Sequence, residues 1–79
     1  METADHIMRT RTVKATTVLA GQADLRNYPF RLLAVESISE TPTLYAAAEH
    51  LSNYGWDLVN VYCYGTNVNI VHAVMRRAL

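Results

Sequence analysis

The sequence predicts an α/β chain of the two-layer α+β kind: a largely antiparallel sheet of three to four strands, one helix packed on one face, and a β-α-β-β core preceded by an N-terminal strand. Three observations lead there. Leu44, Ala47, Ala48 and Leu51 recur at i, i+3, i+4 and i+7, the spacing of a single buried helix stripe. Phe30 to Ile38 before this stripe and Trp56 to Tyr64 after it are apolar, β-branched runs of strand length. Gly55 stands between the helix and the second run, where a helix must stop and the chain must turn.

Residues 1 to 7 show no periodicity and are expected to be disordered. Met8 to Leu19, rich in threonine and valine, reads as a strand. It would set Arg9, Arg11, Val13, Ala15, Thr17 and Leu19 on one side and Met8, Thr10, Thr12, Lys14, Thr16 and Val18 on the other. Neither side is cleanly apolar, which suits an edge strand or an arm exchanged between subunits. Gly21 to Pro29 is a connection, and Phe30 to Ile38, with its apolar middle, reads as a central strand.

Thr41 followed by Pro42 fits an N-cap with proline in the first helical position, opening a helix over Thr43 to Tyr54. Gly55 in the left-handed conformation would let its own amide and that of Trp56 close two terminal carbonyls, with Trp56 packing back on Leu51. Trp56 to Tyr64 then alternates Asp57, Val59, Val61 and Cys63 against Trp56, Leu58, Asn60, Tyr62 and Tyr64. The first set is the expected seat of the helix. Gly65-Thr66-Asn67 supplies a hairpin turn and Val68 to Met75 the returning strand, with Arg76 and Arg77 trailing. The favoured order places the final strand between the two others, with the N-terminal strand at an edge.

Composition narrows the function classes. Seventy-nine residues make one domain, whose stability as a lone monomer is marginal at this size. The single Cys63 cannot form an internal disulfide, so self-association is the natural remedy. Seven basic residues balance seven acidic ones, leaving no global field for nucleic acid or an anionic membrane. No apolar run approaches the roughly 18 residues of a membrane span, and the acidic N-terminus lacks a signal-peptide core. With an unpaired cysteine, the expected compartment is the cytoplasm.

The order strand, helix, Tyr54-Gly55-Trp56-Asp57-Leu58-Val59-Asn60-Val61, and a hairpin ending in Met75-Arg76-Arg77 resembles the bacterial and phage domain-of-unknown-function family numbered four-one-seven-seven. The likeness runs from Phe30 to Arg77, with the N-terminal strand outside it. It implies a compact β-α-β-β unit and carries over no activity and no catalytic residue.

Candidate site residues are few. His6, His50 and His72 are far apart, and no acid and base pair is given by spacing, so no enzyme is expected and no catalytic residue is assigned. Cys63, on the aliphatic face, reads as a buried inert thiol. No close-spaced ligand pair marks a metal site, and three scattered glycines build no phosphate loop, so neither metal nor cofactor is expected.

Tyr62 and Tyr64 share one face of their strand, with His72 within reach across the hairpin in some registers. Their rings, with Leu58, suit an interface between subunits, or alternatively stacking on a nucleotide. Arg9 and Arg11, with Lys14 nearby and Arg76 and Arg77 on the last strand, form an anion site if those strands adjoin, although charged edges that discourage aggregation are the simpler reading. The expectation is a homo-oligomeric interaction module. A small anionic ligand at a subunit boundary is the alternative, and single-stranded nucleic acid is a minor one.

Overall fold

The computed structural model describes residues 3–38, 41–64 and 70–77. Among them are helices α1 (Ala4–Thr10), α2 (Ala15–Leu19) and α3 (Thr41–Ser52) and strands β1 (Thr12–Lys14), β2 (Leu32–Ile38), β3 (Trp56–Tyr64) and β4 (Ile70–Arg77). The sheet order is β1-β2-β4-β3. β2 and β3 each run antiparallel to β4, and β1 pairs parallel with β2. The final strand thus separates β2 from β3, the arrangement favoured from the sequence, and the fold is α+β with a mixed four-stranded sheet.

One face of this sheet carries the core. Val13, Leu33, Val35, Val71, Ala73, Met75 and Trp56 occupy partnered positions across the four strands and are all buried. Directly opposed residues point to the same side of a sheet, so this row structure defines a single covered face. The α3 stripe of Leu44, Ala47, Ala48 and Leu51 is buried against it as the spacing requires. Val18 of α2 and Ile7 of α1 complete the same cluster, so the helical layer holds more than the one helix expected.

The N-terminal third departs most from expectation. In place of a frayed tail, α1 begins with Thr3, whose side chain accepts from the His6 amide at 3.1 Å, and is anchored by the fully buried Ile7. In place of a strand over Met8 to Leu19 there are three strand residues, because Arg11 takes a left-handed conformation (φ 55°) that ends α1 and turns the chain. Ala15 to Leu19 is then helical, which buries Ala15 and Val18 together on the core side at the i, i+3 spacing a strand could not give. Burial overrides the β preference of the threonines and valines.

Elsewhere the differences are local. α3 begins at Thr41, and its cap position lies outside the described residues, as do the turn expected at 65–67 and the start of the last strand at Val68. β4 runs on through Arg76 and Arg77. Gly55 does take positive φ (88°), and Trp56 and Leu51 both belong to the core. The carbonyls closed at the end of α3 are those of His50 and Leu51, which receive the amides of Asn53 and Tyr54 at 3.2 and 2.9 Å. The last turn is tightened by i→i+3 bonds before the glycine is reached. Among the described residues no helix is long and apolar enough to cross a membrane.

Candidate functional site

The face of the sheet away from the helices is built from the alternate positions of each strand. Register places Lys14, Glu36, His72 and Tyr62 in one transverse row, from β1 through β2 and β4 to β3. The adjoining rows are largely apolar: Ala34 and Val74 on one side, Ile38 and Ile70 on the other. Leu32 and Ile38 are 52% and 62% exposed.

The polar row is knit together. His72 Nε2 lies 3.3 Å from Glu36 Oε2, and the imidazole stacks on the Tyr62 ring at 5.2 Å with the planes only 12° apart. This leaves His72 8% exposed on an otherwise uncovered face. Chemically, Glu36 orients the imidazole and the imidazole props up the tyrosine, so the ring of Tyr62, itself 38% exposed, is presented as a fixed apolar plate. Among the described residues, no serine, threonine or cysteine shares this row. Cys63 pairs with Val71 and so belongs to the other face.

Of the residues singled out from the sequence, the structure joins Tyr62 and His72 and places Leu58, Arg9 and Arg11 elsewhere. The Tyr64 side chain lies outside the described residues. Leu58 is opposite Met75 and therefore on the helix side, because a bulge at Val59 shifts the register between Leu58 and Asn60. The same bulge undoes the expected aliphatic face. Val59 is half exposed, and the thiol of Cys63 is exposed and not buried, since cover from the helix thins along this edge strand.

Arg9 and Arg11 do not share a strand. Arg9 is on α1, 3.4 Å from Asp5 in an exposed i, i+4 pair, and the Arg11 guanidinium lies 3.7 Å from the centre of the Phe30 ring. β2 separates β1 from β4, so the strand-to-strand cluster of Arg9 and Arg11 with Arg76 and Arg77 does not form; only Arg11 and Arg77 approach a common place, the Tyr28–Phe30 pair, and Arg76 is on the other face. The carboxylate of Glu36 in the middle of the open face further disfavours an anion beside Tyr62. Glu36 was readable as an acid set within an apolar strand. Its partner was not, because register depends on the hairpin.

A second constellation went unread in the sequence. Tyr28 is buried edge-on to Phe30 (5.4 Å) and near Trp56 (6.0 Å), and its hydroxyl donates to the Leu32 carbonyl at 2.6 Å. Burial holds its phenol above the ordinary tyrosine value, against a smaller opposing pull from the charges of Arg11 and Arg77. Arg77 lies 5.0 Å from the centre of the Trp56 ring, and its Nη2 donates to the carbonyls of Tyr28 and Phe30, the latter at 2.8 Å.

Beside this cluster, between the Gly21–Arg26 segment and the end of α3, opens a cleft of about 570 Å³. Among the described residues no group of three His, Cys, Asp or Glu side chains is placed to hold a metal ion. Comparison with protein-family models, with curated proteins and with solved structures finds no match to this chain.

Proposed function

We propose that the chain is a non-enzymatic interaction module that assembles with further copies of itself through the open face of its sheet. The observation that carries the reading is the exposure of Leu32, Ile38 and Tyr62 together on the face that no described helix covers. A sheet with one covered face leaves the other as apolar surface available to a partner. The Glu36–His72–Tyr62 stack supports this role by keeping the tyrosine ring rigid, so little side-chain freedom is lost on contact.

A second copy is the occupant best matched to the face. Its described charged side chains, Lys14, Arg76, Glu36 and Asp57, are of both signs in equal number, which suits the self-complementarity of a two-fold contact and not a polyanion. Size favours the same reading, since burial at such an interface adds to the limited share of surface that a chain of 79 residues can bury alone.

Light scattering on Tyr62→Ala and Arg11→Ala tests the reading. The tyrosine change is expected to reduce the assembled mass, and the arginine change, on the far side of the fold from the plate, to leave it unaltered. A wild-type chain that is monomeric at micromolar concentration overturns the proposal.

A further inference from the structure

We propose that the cleft at the C-terminal end of α3 binds a small planar monocarboxylate. Its volume, about 570 Å³, falls within the roughly 300–1,000 Å³ of small-molecule sites. It lies on the helix side of the sheet, so it is independent of the face assigned to self-association.

The lining sets the ligand class. Val18, Leu51 and Trp56, almost fully buried, underlie the cleft as an apolar floor, and the exposed Tyr54 ring, with His50 beside it at 5.4 Å between ring centres, supplies its accessible planar surface. Planar groups bury most area against such surfaces. The charges are unequal in availability. Asp24 and Arg26 satisfy each other through two side-chain bonds of 3.1 Å and present no net charge. Arg77 has no carboxylate partner among the described residues. Its Nη2 is held by two neutral carbonyls, and its Nε is buried without an acceptor.

With Nη2 on two carbonyls and Nε enclosed by protein, Nη1 is the part of this fixed cation left to donate to a ligand, and a carboxylate is the acceptor of matching charge. A single negative charge fits better than several. The Asp24 carboxylate at the cleft and the negative end of the α3 dipole both oppose a polyanion, and no glycine-rich turn is there to cradle phosphate.

The test uses the full chain. Trp56 is its only tryptophan, so the indole N–H gives one assigned resonance in a nitrogen-correlated NMR spectrum. Benzoate is expected to shift it saturably, together with the His50 and Leu51 amides, and to leave the Tyr62 and His72 amides in place. Benzamide, which keeps the ring and loses the charge, is expected to bind about tenfold more weakly. Inorganic phosphate is expected to give no saturable shift.

Arg77→Gln should abolish the benzoate response. Because Arg77 also braces Tyr28 and Phe30, Tyr54→Ala is the second variant: this ring is 69% exposed, so the chain keeps its fold while benzoate affinity falls severalfold. The proposal is overturned by equal responses to benzoate and benzamide, by a phosphate response matching that of benzoate, by no saturable movement of the Trp56 indole, or by unchanged affinity in Tyr54→Ala.

Discussion

Gly55 and Tyr28 show how single residues set the geometry, each for one physical reason. An added Cβ at Gly55 meets no atom within 4 Å, so the whole cost of Gly55→Ala is the positive φ of 88°. We expect a loss of about 1 kcal/mol, read from the chemical denaturation midpoint, and an unchanged midpoint would contradict the role. Tyr28 is a buried phenol held neutral. Its folded value is raised above the ordinary 10.0, so the stability it contributes is fully present below pH 10 and is lost as pH rises through the higher folded value. Tyr28→Phe should cost about 1 kcal/mol at neutral pH, through the lost bond to the Leu32 carbonyl, and should flatten the alkaline decline. Equally steep alkaline curves for both proteins would show that another group is responsible.

At the scale of elements, the β3 bulge decides which side chains reach the open face. Leu58 opposes Met75 and Asn60 opposes Val74, so Val59 is the unpaired extra residue, and the Asn60 side chain takes the following amide of Val61 at 2.9 Å. Deleting Val59 should therefore leave a continuous ladder with every partner kept, at a cost below about 1 kcal/mol. Deleting Val61 can be absorbed only by closing the bulge with Val59 opposite Val74 and Asn60 opposite the fully buried Ala73, which moves a polar side chain to the helix side and should cost on the order of 2 kcal/mol or more. Thermal melts of the two deletions check this, and equal destabilisation would contradict it.

The bulge also marks where the sequence stops being legible. Helix α3, its buried stripe, Gly55, the extent of β3 and that of β2 apart from its start, which is Leu32 and not Phe30, were readable because each rests on local periodicity or on one backbone requirement. The face of Leu58 was not, since Leu58-Val59-Asn60-Val61 fits strict alternation as well as it fits a bulge. In the N-terminal third the β-branched residues pointed to a strand, while the decisive contacts, Ile7 and Val18 with the core, are tertiary. Thr3 and the Asp5–Arg9 spacing were the local signs of α1, a cap and an i, i+4 pair. Of the candidate site, Tyr62 was visible as an exposed aromatic. Its prop of His72 and Glu36 comes from two other strands and exists only once β4 lies between β2 and β3.

For the whole molecule, the sheet divides the chain into a helical side, where the core and the cleft lie, and an open side that ends in exposed aliphatic and aromatic surface. On the proposed function a second copy covers this open side. Ile38, 62% exposed, is the substitution site least tied to the monomer's own packing. The most direct measurement is sedimentation equilibrium of the wild type beside Ile38→Lys, with circular dichroism confirming that both are folded. The wild type is expected to be assembled, and the variant folded but of monomer mass, at the same micromolar concentration. A variant that keeps the wild-type assembled mass, or a wild type that is itself monomeric, would contradict it.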